Sequence, residues 1–197
     1  MSKIDFNALR DRAYKCACAH GFHNTELSNG HLLMLVITEL SEAVEADRKG
    51  KYFKGISTFE REFNRYSALV DENKRFECAF EKYVKDTVSD EMADAVIRLL
   101  DLAGLRGISL EFANGDIDDC IEDMAEACKD ETFTESIYSI STLPVRYDGI
   151  FDFPTAVNDM ILSIFGLAKH LDIDLLWHIE HKMKYNELRE NKHGKRY

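Results

Sequence analysis

Two pairs of acids, each spaced three residues apart, are the side chains of this 197-residue sequence best suited to chemistry: Glu39 with Glu42, and Glu91 with Asp94. Positions i and i+3 of a helix are neighbours on one face, so each pair presents two carboxylates together. Two such pairs facing each other would offer up to four carboxylates to a hard divalent ion such as Mg²⁺, which takes oxygen ligands, keeps waters and binds substrate phosphates. The setting of the first pair sharpens this reading. At about 100° per residue, Leu32, Leu33, Val36, Leu40, Ala43 and Val44 share one face, with Glu39 inside that apolar arc, Glu42 at its edge and Glu45 pointing away. A glutamate among core-facing leucines loses its hydration, which is costly unless a cation or hydrogen bonds compensate. Glu39 therefore asks for a partner, either a bound cation or an arginine. In the second pair, Glu91 borders the apolar stripe of Val88, Met92, Ala95, Val96 and Leu99, while Asp94, Arg98 and Asp101 lie on the polar side. That side faces solvent, a cleft or another subunit.

The elements that must position these acids read as helices throughout. Residues 4–20 carry helical periodicity and end near Gly21; Ser28 or Asn29 caps a second helix that stops at Gly50, in the manner of a C′ glycine. The stretch 51–85, rich in Phe, Tyr, Lys and Glu, reads as one or two amphipathic helices. A regular helix carrying Glu91 and Asp94 follows, capped by Thr87 or Ser89 and closed by Gly107. Ten acids from Glu111 to Glu135, Asp116 among them, against one cation, Lys129, suggest a solvated face or loop. Residues 141–149, which contain Pro144, read as an irregular piece or short hairpin; Pro154 opens another helix to about Lys169, and Asp172 or Asp174 starts the last.

Composition supports the same class and removes others. With 2 prolines and 10 glycines, the chain has too little turn chemistry for a many-stranded β fold, while a 45% apolar content excludes intrinsic disorder. Lys+Arg number 25 against 36 Asp+Glu, a net charge of −11 that would repel a polyanion and argues against a nucleic-acid partner. Small phosphorylated ligands stay compatible, because they need only local cations or a metal. Five cysteines without a C-x-x-C pair read as reduced thiols. The start has no signal-peptide core and the longest strongly apolar run, Leu32 to Ile37, is far too short to span a bilayer, so no membrane partner and a cytoplasmic location are expected.

Several other constellations fail. Gly50-Lys51 is followed by Tyr52, so there is no P-loop; Glu190 to His193 is the only E-x-x-H, where a di-iron bundle uses two; and Asp116-Ile117-Asp118-Asp119 lacks the glycine and glutamate of a calcium loop. His178 and His181 flank Glu180 without an H-E-x-x-H, which favours packing over metal ligation. The aromatic set Phe59, Phe63, Tyr66, Phe76, Phe80 and Tyr83 reads as core or subunit interface.

Glu39-x-x-Glu42 on one helix, Glu91-x-x-Asp94 on a later one, and the C-terminal Lys182-x-x-x-Asn186-x-x-Arg189 resemble the MazG-like nucleotide pyrophosphohydrolases of the all-α NTP pyrophosphatase superfamily. The likeness covers about half of the chain: 28–50, 86–107 and 172–195. It departs in the longer interval between the acidic pairs, with 51–85 standing as an insertion, and in Thr38 where many members carry a further glutamate. The resemblance implies a single all-α domain over residues 1–197: a helical bundle with a four-helix metal-binding core, plus inserted helices near 51–85 and 111–150. It implies Mg²⁺-dependent hydrolysis (Mn²⁺ as a substitute) of a nucleoside triphosphate, NTP or dNTP, to the monophosphate and pyrophosphate. Glu39, Glu42, Glu91 and Asp94 would hold the metal, and Glu39 or Glu42 would act on the attacking water. Lys182 and Arg189 would contact phosphates and Asn186 would supply a neutral hydrogen bond, all on one helical stripe. A homodimer or homotetramer is the implied assembly. The competing class is a non-catalytic helical module that keeps the fold and binds nucleotide, or another partner, without turnover.

Overall fold

The computed structural model describes residues 4–65, 69–111 and 117–190. Tyr66, Asp116, His193 and the terminal cations past Glu190 lie outside the described residues. Among the described residues the chain is all-α: α1 (Phe6–Ala19), α2 (Asn29–Arg48), α3 (Ile56–Phe63), α4 (Glu72–Tyr83), α5 (Val88–Arg106), α6 (Ile117–Ala127), α7 (Phe133–Tyr147), α8 (Phe153–His170) and α9 (Leu175–Glu187). None of these helices is long and apolar enough to cross a membrane.

Helix α5 is the centre of the bundle. It packs against α1, α2, α8 and α9, and it buries Val88, Met92, Ala95, Val96, Leu99, Leu100, Leu102 and Ala103, so more than one face is apolar. Its ends are set locally. The Thr87 hydroxyl accepts from the Asp90 N–H and donates to the Val84 carbonyl, and Gly107 closes the helix at φ 63°, a left-handed position that suits glycine. Helix α2, capped by Ser28, runs antiparallel to it: Arg106 reaches back to Asn29 and Leu27 at one end, while Arg98 meets Glu39 further along.

Two further groups of helices extend this core. Helices α6, α7 and α8 pack together, with α8 also reaching α5 and α7 reaching α2. Helices α3 and α4, the two amphipathic helices expected in 51–85, pair with each other and lean on α9. Phe59, Phe76, Phe80, Val84 and Tyr185 form a second buried cluster there, flanked by Phe53, Phe63 and Trp177.

Residues 141–149 differ from the expectation of an irregular piece or hairpin: through Tyr147 they are the last two turns of α7, with Pro144 inside the helix. Proline removes one backbone donor and normally disfavours such a position by about 3 kcal/mol. Here Ser136, Ile137, Ile140 and Leu143 are buried at helical spacing, and Arg146 Nη2 donates to the Ser139 carbonyl at 2.7 Å near the interruption. Burial of that stripe outweighs the lost hydrogen bond.

Gly166 of α8 marks a close approach between α8 and α6. A Cβ there would overlap Met124 Cβ and stand 2.7 Å from the Met124 carbonyl carbon and 2.9 Å from the Ala125 nitrogen, so a side chain requires α6 to move. Gly166→Ala is expected to destabilise the protein by about 1–3 kcal/mol. Gly30→Ala, whose nearest neighbour would lie at 4.0 Å, should leave the midpoint of chemical denaturation unchanged or slightly raised.

Candidate functional site

The N-terminal half of α5, the middle of α2 and α9 bring together the most unusual group of side chains in the protein. Glu39, Glu91 and Asp94 each place an oxygen within 4.8 Å of the others, so the two acidic helices do converge. Glu39 is 3% exposed and Glu91 5%. Both carboxylates are thus held in an apolar interior, as the helical wheel requires of Glu39. Glu42, one turn beyond Glu39, is exposed and stands outside this group of three. Asp90, which sequence reasoning did not single out, is 1% exposed and belongs to the same acid-rich region. Asp90 sits in the first turn of its helix, where acids are common because they offset the helix dipole, so its residue type there carries no signal of a site.

Two cations partly neutralise these acids. Arg98 Nε and Nη2 both lie 2.5 Å from Glu39 Oε1, so Glu39 has the arginine partner that its position demanded. Lys182 Nζ lies 2.7 Å from Asp90 Oδ2 and 2.8 Å from Asp94 Oδ2. Lys182 is therefore not a solvated end of a polar terminal helix; it is 5% exposed and spends its ammonium on two carboxylates. Burial works against that charge, but Asp94 and Asp90 outweigh it and raise the lysine pKa.

The remaining negative charge shows in the carboxyl groups. Burial, with the charges of Asp94 and Asp90 added, pushes Glu91 up to about 8. Burial likewise pushes Asp90 up to about 6, although Lys182 opposes it. Asp90 Oδ2 also accepts the backbone N–H of Asp86, a residue held at φ 60°, whereas Asp90 Oδ1 is buried with no protein partner. The region thus has acceptor capacity and uncompensated charge, the two things that a divalent cation supplies a remedy for.

A cleft adjoins the acids. It encloses about 860 Å³, counting its open mouth, and is lined by α1, α2, α5, α9 and the turn after α1. Leu32 and Leu35 of α2, Ile97 of α5 and Met183 of α9 supply apolar wall, while Asp94, Arg98 and Asp101 run along α5 at helical spacing. The polar side of α5 thus faces a cleft, one of the three settings open to it from sequence. Asn186 and Arg189 also line this cleft. Arg189 does not share a helical stripe with Lys182 and Asn186, because α9 ends at Glu187 and Leu188 is its C-cap; the Arg189 N–H turns back onto the Asn186 carbonyl at 3.2 Å. The helix stops where the residues after Leu188, Arg189 and Glu190, no longer offer an apolar side chain to bury. His23, from the turn after α1, donates Nε2–H to Asp101 Oδ1 over 2.7 Å. Nothing in the sequence marks His23, since its partner is 78 residues away.

His178 and His181 pack among aromatic rings, as expected. His178 lies edge-on to Phe53, with centroids 4.8 Å apart, and His181 stacks on Trp177. Burial holds His178 down to about 3, with a smaller push from His181.

No family model matches this chain, and neither a curated protein nor a solved structure matches it significantly.

Removal of the buried ammonium in Lys182→Met should cost about 3–5 kcal/mol in urea denaturation, because Asp90 is left as a buried charge without its cation. Asp90→Asn added to Lys182→Met should recover part of the loss, whereas independent sites would show additive losses. His178 gives a pH signature. Its folded pKa lies below the ordinary value of 6.5, so its neutral form stabilises the fold above 6.5, and that contribution drains away as pH falls from 6.5 through about 3. The stability of His178→Phe relative to the native chain should therefore rise steadily between pH 7 and 4.

Proposed function

We propose that this protein is a MazG-like, Mg²⁺-dependent nucleotide pyrophosphohydrolase, converting an NTP or dNTP and water to the monophosphate and pyrophosphate. The observation that carries the reading is the convergence of Glu39, Glu91 and Asp94 from two antiparallel helices, at one end of a cleft lined by the same two helices. Asp94 and Asp101 are seven residues apart on α5, about 10 Å of helical rise. One nucleotide can span that length, with its phosphates at the acids and its nucleoside in the cleft.

The residues present fit a divalent cation: three oxygens close together, an orphaned oxygen on Asp90 nearby and a glutamate pushed up to about 8 by its neighbours. Glu39, Glu91 and Asp94, joined by Glu42 on the strength of the resemblance, would hold Mg²⁺, which would neutralise the phosphates and acidify the attacking water. The chain's own residues do the rest. Arg98 fixes the Glu39 carboxylate, so its orientation toward water does not depend on substrate. Glu39 and the exposed Glu42 are the carboxylates offered to orient that water and take its proton. Lys182 holds Asp90 and Asp94 in place, and its ammonium would be a phosphate contact beside them. Arg189, at the cleft, is a second phosphate contact. By the same resemblance the working form is a homodimer or homotetramer in the cytoplasm.

Purified protein with Mg²⁺ or Mn²⁺ should release pyrophosphate, not orthophosphate, from at least one NTP or dNTP. Glu39→Gln, Glu91→Gln and Asp94→Asn should each lower that rate by at least the ~10–100-fold that a lost outer-shell partner costs a metal site. Folded native protein inactive across canonical and modified nucleotides would instead identify a non-catalytic module. A second measurement follows from the glutamate. A proton on Glu91 competes with metal below about pH 8, so the apparent Mg²⁺ affinity read by thermal shift should climb from pH 6 to 8 and level off above it.

A further inference from the structure

Arg98 is the side chain that joins the acids to the cleft. Asp94 and Arg98 line the cleft, whereas Glu39 and Glu91 are not among its lining residues. Arg98 also reaches the acids, because its Nε and Nη2 converge on a single oxygen, Glu39 Oε1. A guanidinium carries five N–H donors in a rigid planar fork, and this pairing uses only its side edge. Nη1 makes no hydrogen bond among the described residues. The Arg98 side chain is 27% exposed against 4% for that of Glu39, so the unused end of the fork is the part open to the cleft.

The height of Arg98 on α5 decides what meets that free end. It follows Asp94 by four residues and precedes Asp101 by three, which places it about 6 Å along the helix from the acids and about 4.5 Å short of the Asp101–His23 pair. In the nucleotide reading above, on which this inference rests, the phosphates sit at the acids and the nucleoside in the cleft. The group at the junction is then the phosphate bonded to the nucleoside, the one that the monophosphate product keeps. Its oxygens suit a free guanidinium edge, in charge-assisted hydrogen bonds stronger than those to neutral acceptors. The Glu39 pair fixes the guanidinium before a ligand arrives, so little side-chain freedom remains to be lost on binding. We propose that Arg98 is a substrate-contacting residue that donates from Nη1 to the nucleoside-linked phosphate while its Nε and Nη2 stay on Glu39. Only arginine serves both partners at once, since a lysine ammonium is a point charge without the planar fork.

Calorimetric titration of the intact protein with Mg²⁺ present, using dAMP, dCMP, dGMP and dTMP each against its own deoxynucleoside, provides the test. The ratio of the two affinities isolates the phosphate, and a change of that ratio between proteins isolates Arg98. Arg98→Lys keeps a cation for Glu39 and should lower the ratio at least about tenfold for whichever base is bound. Charge is preserved in that variant, so a purely structural or long-range role leaves the ratio in place, and a loss of fold weakens both ligands alike. A second comparison removes the buried ion pair without stranding a charge: Glu39→Gln against Glu39→Gln/Arg98→Met, where the ratio should again be lower in the protein without the arginine. A ratio unchanged in either comparison, or no monophosphate bound by the native chain, overturns the inference. Pyrophosphate release from an NTP alongside an unchanged ratio leaves the pyrophosphohydrolase standing without this contact. A ratio that falls in a protein that hydrolyses nothing supports the contact and removes the enzyme reading.

Discussion

Buried carboxylates need cations, and the arrangement of this protein follows from how that need is met at the junction of α2, α5 and α9. Glu39, Asp90 and Glu91 are each 5% exposed or less, and no bundle would retain them at random, since a carboxylate without its hydration shell is strongly disfavoured unless it is paired or neutralised. Arg98 meets Glu39 across the α2–α5 contact, and Lys182 meets Asp90 and Asp94 across the α5–α9 contact. Each ion pair ties two helices at a defined height, so electrostatics set the register of an interface whose apolar contacts could slide. The neutralisation stops short of completion. Glu91, held up to about 8, and the unpartnered Asp90 Oδ1 mark where further positive charge is wanted.

The inserted helices acquire a role in this setting. Helices α3 and α4 carry Phe59, Phe76 and Phe80 against α9, where Trp177, His181 and Tyr185 pack among them. The rings of Phe80 and Tyr185 stack at 4.5 Å, one turn from Lys182, whose ammonium lies 5.6 Å from the Phe80 centroid. The aromatic cluster therefore fixes the helix that delivers the lysine to the acids. It also shields the lysine from water, which strengthens the attraction of Asp90 and Asp94 for it. What reads along the chain as an interruption between two acidic motifs is, in space, the support for the cation between them.

Helical periodicity, caps and stops were legible because they are local. Ser28 and Asp174 cap α2 and α9, Gly107 ends α5, and Asp152 with Pro154 begins α8, each through contacts within a few residues. The α7 interruption was misjudged because a proline acts locally whereas the stripe that overrides it, Ile137, Ile140 and Leu143, gains its energy from α2 and α8.

The sequence by itself determined the all-α class, the two acidic pairs and the demand of Glu39 for a positive partner, since spacing along a helix fixes which side chains share a face. Only the tertiary structure decided who the partners are. It seated Arg98 on Glu39, buried Lys182 between Asp90 and Asp94, left Glu42 exposed outside the convergent three, and brought His23 to Asp101 at the cleft. Those pairings join residues 59 to 92 positions apart. Periodicity carries no information about contacts at such separations, which depend on how whole helices dock and on which side chains lose water when they do.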